Sequence, residues 1–343
     1  MKRMLNTLFV TTHGSYLSRE GDTVRIRADG ETKLRLPVHT LDSIVCLGGV
    51  SASAPLMELC GEKGVPIAFL SQNGRFRARV EGPVSGNVLL RREQYRWADD
   101  ESKSADIGRS VVMAKIANGR RVLLRAARDH SETTDTDALR AASTRMAQIL
   151  RSLRKAQELS RIRALEGEAA QRYFEVFDHL ITSQKEDFFF RGRNRRPPRD
   201  RINALISFLY AVLLNDVSSA LEANGLDPYV GFLHRDRPGR QSLGLDLMEE
   251  LRPVLGDRLA LSLINRRQLQ ASDFRTAESG AVLLDDSGRR KVLKAYQKRK
   301  QDEITHFFLE EDMHLGMAPH AQALLLSRYL RGDLDAYPPF FWK

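Results

Sequence analysis

The feature that most constrains the fold is a change of pattern after Gly86. Before it, short segments rich in β-branched residues are separated by turn sequences such as Gly21-Asp22, which predicts a series of strands with one short helix near residues 55–64. After it, apolar residues recur with the spacing of amphipathic helices almost to the end. The sequence therefore predicts an α+β protein, with an N-terminal β-sandwich-like domain followed by an all-α domain.

The same pattern sets the predicted domain boundaries. Residues 1–90 form the β domain, the polar stretch 91–110 is a linker or an exposed helix, and residues 111–343 form the helical domain. A length of 343 residues independently favours two domains. The segments with helical periodicity are 107–128, 137–182, 200–223, 243–256, 288–310 and 318–331.

The charge balance indicates a polyanionic partner. The chain has 54 Lys and Arg against 44 Asp and Glu, a net charge of +10, which favours nucleic acid over a membrane surface. No apolar run approaches the roughly 20 residues of a membrane span, and the N-terminus lacks a signal-peptide pattern. Cys46 and Cys60 are predicted to be reduced core thiols, because no CxxC motif or Cys/His cluster accompanies them. We expect a cytoplasmic protein without a membrane partner.

One carboxylate falls on the apolar face of the helix predicted around residues 156–181. Glu166 lies four residues after Ile162 and four before Ala170, and both neighbours belong to that face. A carboxylate that faces a core is costly unless it is paired, protonated or bound to a metal. Two explanations therefore stand, a metal site and an ion pair with a nearby arginine. The candidate ion-pair partners are Arg161, Arg163 and Arg172.

A second group of acids follows His234, which begins a basic loop. The helix after this loop carries Asp246, Glu249 and Glu250, with Glu249 nearly opposite the apolar stripe and Glu250 nearer its edge. A site made mainly of oxygen ligands with one histidine suits Mg²⁺ or Mn²⁺ better than structural zinc. Such an ion polarises a phosphoryl oxygen and activates a hydroxyl or water nucleophile. A solvated helix face is the alternative reading of the same residues.

Basic side chains surround these acids in the sequence and predict a DNA-phosphate surface, since arginine binds phosphate in a bidentate manner. The loop at 191–201 is tied by Pro197-Pro198 to an apolar helix, although a disordered basic linker is the alternative. The candidate phosphate contacts are Arg191, Arg193, Arg195, Arg196, Arg199, Arg235, Arg237, Arg240, Arg252, Lys291, Lys294 and Lys298.

Four motifs, in this order, resemble the CRISPR-associated adaptation integrase family, also described as a metal-dependent DNA endonuclease. They are LEGEAAQRYF, RNRRPPRDRINALISFLYAVL, DPYVGFLH and SLGLDLMEELRP, and the resemblance covers essentially the whole chain. The ending RGDLDAYPPFFWK resembles the subtype I-C branch. The chain departs from the family pattern at Glu250, where a proline usually stands.

The resemblance implies a catalytic helical domain with Glu166, His234 and Glu249 as ligands of Mg²⁺ or Mn²⁺, assisted by Asp246. It also implies a homodimer bridged into a tetramer by a small ferredoxin-like CRISPR adaptation partner. The implied activity inserts foreign double-stranded DNA fragments as new spacers into a CRISPR array, by attack of a 3′-hydroxyl on a repeat phosphodiester. Two rivals remain, a nuclease of branched or single-stranded DNA with the same metal, and a non-catalytic architectural DNA-binding protein in which Glu166 is merely ion-paired.

Overall fold

The structure is a computed structural model that describes residues 6–72, 74, 76–82, 88–129 and 134–342. Contacts divide the chain into two units. The first contains Met1–Ser85 and Asp286–Gln301, and the second contains Gly86–Asp285 and Asp302–Lys343. The predicted end of the β domain at residue 90 lies close to the first division, whereas residues 286–301 group with the strands and not with the helices.

The strands are β1 (Thr7–Val10), β2 (Tyr16–Glu20), β3 (Thr23–Ala28), β4 (Glu31–Pro37), β5 (Ser43–Leu47), β6 (Ser51–Ala52), β7 (Ile67–Leu70), β8 (Phe76–Val80), β9 (Phe274–Thr276), β10 (Val282–Leu284), β11 (Glu303–Thr305) and β12 (Asp312–His314). The α-helices are α1 (Ala54–Glu62), α2 (Val88–Asp99), α3 (Glu101–Asp129), α4 (Thr136–Leu153), α5 (Leu159–Glu175), α6 (Arg201–Ala223), α7 (Ser242–Glu249), α8 (Arg258–Asn265), α9 (Asp286–Lys300) and α10 (Ala318–Leu330). A π-helix runs over Arg252–Asp257.

Two four-stranded sheets share one core in the first unit. One has the order β1-β5-β7-β8 and is parallel except at β8, and the other has the order β4-β3-β2-β6 and is antiparallel except at β6. Leu17 and Ile26 from one sheet meet Ile44 and Ile67 from the other, with Leu56 of α1 in the same cluster. The predicted run of N-terminal strands is confirmed.

The two cysteines and α9 complete the first unit. Cys46 on β5 and Cys60 on α1 are free and buried, and burial raises their pKa values to about 12 and about 11. On α9, Val292 and Tyr296 are buried, and the Gln297 side-chain amide donates to the Thr7 carbonyl at 3.2 Å. This packing explains why α9, which the sequence analysis placed in the helical domain, groups with the strands.

Helix α6 is the central helix of the second unit and packs against α7, α8, α10 and the π-helix. Asp200 caps its N-terminus by accepting from the Asn203 N–H at 2.7 Å, and Gly225 follows its end at φ +77°. By length and composition α6 is apolar enough to cross a membrane, whereas the sequence analysis predicts no apolar segment of that length. Its most apolar window is 67% buried inside the structure, as in the core helix of a soluble protein.

The predicted linker 91–110 is helical in the structure, where it forms most of α2 and the start of α3. Asp100 separates the two helices and accepts from the N–H groups of Ser102 and Lys103 at 2.9 and 3.1 Å. Buried Gln94 donates to the carbonyls of Asp227 and Val230, both at 2.8 Å. The polarity of this stretch thus reflects exposed helix faces and one buried amide, which agrees with the exposed-helix alternative and not with a linker.

The helix predicted over 243–256 is interrupted after Glu249. Pro253 has no N–H to donate, and its ring clashes with the carbonyl four residues earlier in a regular α-helix, so the chain continues as a π-helix before α8. The second unit is also not entirely helical. It contains two antiparallel ribbons, β9 with β10 and β11 with β12, which corrects the prediction of an all-α domain.

Candidate metal centre

The three predicted ligands come from three separate segments of the second unit. Glu166 lies on α5, His234 in the loop before α7, and Glu249 at the last position of α7. Glu249 is 3% exposed, whereas Glu166 and His234 are 27% and 22% exposed. His234 Nε2 lies 3.8 Å from Glu249 Oε1, so the imidazole and the buried carboxylate face one another.

Lys115 of α3 joins the two carboxylates. Its Nζ lies 2.8 Å from Glu249 Oε2 and also donates to Glu166 Oε1. Arg252 contacts the other oxygen of Glu249 at 2.5 Å. Burial raises the pKa of Glu249, but the charges of Arg252 and Lys115 outweigh burial and hold that pKa at about 2. Glu249 is therefore an anion at neutral pH despite its burial.

Asp246 holds His234 in place through hydrogen bonds to its backbone and ring. Its Oδ2 accepts from the N–H groups of Phe232 and Leu233 at 2.7 and 2.9 Å, and its Oδ1 accepts from the His234 N–H at 2.9 Å. The same Oδ1 lies 2.6 Å from His234 Nδ1, so Nδ1 carries the proton and the Nε2 lone pair faces the cluster. Gly231 allows the backbone to approach Asp246 this closely, since a Cβ there would lie 2.9 Å from Asp246 Oδ2.

The chemistry of this donor set fits a divalent cation. Two carboxylates and one imidazole nitrogen with a free lone pair converge, and Asp246 supplies the carboxylate–histidine support common at metal sites. Glu249 Oε2 is buried without a well-directed hydrogen bond, although Lys115 Nζ is near. Within the described residues, however, no three His, Cys, Asp or Glu side chains are already arranged to hold an ion. Instead, Lys115 Nζ contacts the carboxylates of both Glu166 and Glu249.

A pocket opens beside this cluster. Its lining includes Lys115, Glu166, Tyr210 and Asp257. The Tyr210 hydroxyl donates to Asp257 Oδ1 at 2.6 Å, and the Arg252 guanidinium lies 4.8 Å from the centre of the Tyr210 ring. Arg195 of the arginine-rich loop reaches the same pocket. The pocket therefore brings a predicted phosphate ligand next to the predicted metal ligands.

The family model described as CRISPR associated protein Cas1 matches residues 8–298 of the chain. The chain belongs to the Cas1 family. It is 52% identical over 343 residues to CRISPR-associated endonuclease Cas1 1 of Chlorobaculum tepidum, and 54% identical over 347 residues to CRISPR-associated endonuclease Cas1 2 of Rhodospirillum rubrum. Each alignment covers 100% of both chains.

Solved structures show the same fold at low sequence identity. A Cas1 protein from Thermotoga maritima has a TM-score of 0.81 at 24% identity, and the match covers 97% of this chain and 99% of that one. A casposase bound to an integration product has a TM-score of 0.83 at 21% identity, with 97% and 93% covered. The strand-rich N-terminal part and the helical C-terminal part are thus a fold that this chain has in common with Cas1 structures and a casposase.

The predicted phosphate contacts differ in their exposure and in their partners. Arg193 turns inward and donates to Asn203 Oδ1 at 2.6 Å and to Ser207 Oγ at 3.1 Å, and Arg252 belongs to the carboxylate cluster. Lys291, Lys294 and Lys298 are exposed on α9 of the first unit. Arg240 is half-buried. The remaining predicted contacts are exposed, namely Arg191, Arg195, Arg196, Arg199, Arg235 and Arg237.

Sequence reasoning missed Lys115, which the structure places at the centre of the cluster. It also named only arginines as ion-pair partners for Glu166, whereas the partner is this lysine. A signal was present, because Lys115 follows Val111 by four residues and precedes Asn118 by three, so it lies on the buried face of α3. The test that identified Glu166, a charged residue on an apolar stripe, identifies Lys115 as well.

Proposed function

We propose that the chain is a divalent-metal-dependent DNA integrase and endonuclease that inserts double-stranded fragments as new spacers into a CRISPR array. The observation that carries the proposal is the convergence of Glu166, His234 and Glu249 from three segments onto one cluster. The relatives named CRISPR-associated endonuclease Cas1, and the fold likeness to a casposase bound to an integration product, support the reaction class.

In this proposal Glu166, His234 and Glu249 hold Mg²⁺ or Mn²⁺. When bound, the ion lowers the pKa of the attacking 3′-hydroxyl and stabilises negative charge on the phosphoryl oxygens. Asp246 keeps the proton on His234 Nδ1, which leaves Nε2 free as a ligand. Arg252 keeps Glu249 ionised, so the buried ligand is ready at neutral pH.

The DNA backbone is the substrate of the same proposal. Arg195 at the pocket beside Glu166, together with the exposed Arg196 and Arg199, supplies donors for phosphate oxygens. A homodimer, a cytoplasmic location and subtype I-C membership complete the proposal on the strength of the sequence resemblance. The proposed partner is Cas2. A solved Cas6-RT-Cas1–Cas2 complex supports this choice, because it contains a chain that matches this fold over 37% of its length, at a TM-score of 0.83 and 21% identity.

An integration assay tests the proposal. A supercoiled plasmid that carries a repeat is mixed with fragment DNA, Mn²⁺ or Mg²⁺, and the protein with and without Cas2. We expect Glu166→Ala and His234→Ala to abolish strand transfer and cleavage, because each removes one ligand. Glu168→Ala is the matched control, since Glu168 lies two residues further along α5 and pairs with Arg145 at 2.7 Å. Full activity in folded Glu166→Ala would refute the metal centre.

The Glu166–Lys115 ion pair favours the architectural alternative, in which Glu166 is a structural partner and DNA is bound without chemistry. The same assay separates the two functions. An architectural protein binds DNA and yields neither cleavage nor joined products with either ion, whereas the proposed enzyme yields both. A third outcome, cleavage without joined products, identifies the nuclease of branched or single-stranded DNA.

A further inference from the structure

Glu250 follows the predicted ligand Glu249 in the chain, yet its side chain is buried in a different polar cluster. Tyr337 Oη donates to Glu250 Oε1 at 2.7 Å, and the Phe340 N–H donates to Oε2 at 2.6 Å. Gln322 of α10 donates to the same Oε2 at 3.0 Å. A buried carboxyl group needs such donors, and here two of the three come from the segment that follows α10.

The backbone of Glu250 is held as well. The Asn118 side-chain amide donates to the Glu250 carbonyl at 2.8 Å and to the Phe340 carbonyl at 2.9 Å. Trp342 N–H donates back to Asn118 Oδ1 at 2.9 Å. Asn118 lies on α3, three residues after Lys115, so the C-terminal segment is bonded to both helices whose side chains meet at Glu249. We call the contacts of Tyr337, Phe340 and Asn118 with Glu250 the C-terminal clamp.

The C-terminal clamp holds the chain at the junction between Glu249 and the π-helix. Glu250 directly follows the last residue of α7, and the π-helix begins two residues later at Arg252. A backbone rotation at this junction therefore redirects Glu249 on one side and Arg252 on the other. We infer that Glu250 is a positioning residue, and that the C-terminal clamp holds the Glu249 carboxylate toward the metal centre. This inference deepens the proposed function and rests on it.

Calorimetric titration of Mn²⁺ into the folded protein tests the inference. Tyr337→Phe removes one donor and leaves the metal ligands in place, and we expect it to weaken Mn²⁺ binding about tenfold, as changes behind metal ligands do. Glu250→Gln is the second variant and is expected to change affinity in the same direction. Tyr16→Phe is the matched control, because Tyr16 is 43% exposed and lies in the other unit.

The outcomes separate the inference from the proposed function. If Glu166→Ala abolishes Mn²⁺ binding while Tyr337→Phe binds like Tyr16→Phe, the clamp does not position Glu249 and the inference is wrong. If the clamp only stabilises the fold, Tyr337→Phe lowers the melting temperature and leaves the Mn²⁺ affinity of the folded protein unchanged. If Glu166→Ala binds Mn²⁺ as the wild type does, the proposed metal centre is wrong.

If Glu166→Ala binds Mn²⁺ as the wild type does, a measurement without metal tests the inference instead. Amide hydrogen exchange is followed at Glu249, Glu250 and Leu251 in Tyr337→Phe and in Tyr16→Phe. We expect about tenfold faster exchange there in Tyr337→Phe, the effect of losing one buried hydrogen bond, with unchanged exchange in α4. Equal rates in the two variants at these three amides overturn the clamp.

Discussion

At the scale of single residues, Lys115 is the cation that the carboxylates of Glu166 and Glu249 share. Two carboxylates, Glu166 and Glu249, meet at its ammonium group. Burial lowers the pKa of Lys115, but the charges of Glu249 and Glu166 outweigh burial and raise it, so the lysine is charged. Together with Arg252, which contacts Glu249, Lys115 supplies positive charge that a divalent ion would also supply to the two carboxylates in the proposed enzyme.

Replacing Lys115 by methionine should therefore destabilise the metal-free protein and make it dependent on metal. Removing one member of a buried ion-pair cluster leaves facing carboxylates, and we expect the free energy of unfolding to fall by about 3 kcal/mol. Saturating Mn²⁺ should recover most of that loss, because the ion binds the folded state. Urea unfolding with and without Mn²⁺ measures both effects.

The control for this change is Lys155→Met, at an exposed position after α4. It should alter stability by less than about 0.5 kcal/mol with or without Mn²⁺, as surface changes usually do. An equally small loss in Lys115→Met, or a loss that Mn²⁺ leaves unchanged, would show that Lys115 does not stand in for a cation.

At the scale of elements, the π-helix and α6 are joined by a buried acid. Asp257, the last residue of the π-helix, is 2% exposed and accepts from Tyr210 of α6 at 2.6 Å. Burial raises the pKa of Asp257 from its ordinary value of 3.8 to about 6, although the Tyr210 hydrogen bond lowers it. The folded state thus binds a proton in a range where the unfolded chain has released it.

This shift predicts a pH dependence with a definite sign. Because the folded pKa is the higher one, the contribution of Asp257 to stability is fully present below about pH 4 and is lost as pH rises through about 6. At about 1.4 kcal/mol per pKa unit, the loss is about 3 kcal/mol. Asp257→Asn stays neutral, so it should gain about that much relative to wild type between pH 4 and pH 7, measured by urea unfolding.

Asp335→Asn, at an exposed position, supplies the control and should show no such change with pH. A constant difference between Asp257→Asn and wild type across this range would mean that Asp257 is ionised at both pH values. The raised pKa would then be wrong.

Element boundaries also show where sequence reasoning stopped. Periodicity correctly placed α6 and α10, because long apolar stripes and end signals such as Gly225 act locally. It left residues 91–106 open between a linker and an exposed helix, and it did not predict the buried Gln94 or the change of helix type at Pro253. Both depend on partners distant in sequence, such as the carbonyls that Gln94 contacts, and local propensity does not contain that information.

For the whole molecule, the sequence marks the candidate site residues more clearly than it marks the basic residues around them. Glu166 stood out because a carboxylate on an apolar stripe needs a reason, and the motif order pointed to His234 and Glu249. The basic residues carried no such marker. Arg193 has the same sequence context as Arg195, yet one is turned inward to Asn203 and the other reaches the pocket. Only tertiary contacts distinguish a structural arginine from one that is available to a phosphate.

That distinction predicts the salt dependence of DNA binding. Each phosphate contact that a basic residue neutralises contributes about 0.9 to the slope of log affinity against log salt concentration. Replacing the exposed Arg195 and Arg196 by glutamine should therefore reduce the slope by about 2 for duplex DNA. Fluorescence anisotropy titrations in EDTA, over a series of salt concentrations, measure the slope without catalysis.

The matched control is the double change of Arg151 and Arg154 to glutamine, which removes the same charge from exposed positions at the end of α4. If long-range attraction from a net charge of +10 drives DNA binding, both double variants lower the affinity and the slope alike. If the arginine-rich loop binds phosphates directly, the slope changes in the loop variant and stays at the wild-type value in the control. Equal slopes in the two variants therefore count against a phosphate site in the loop.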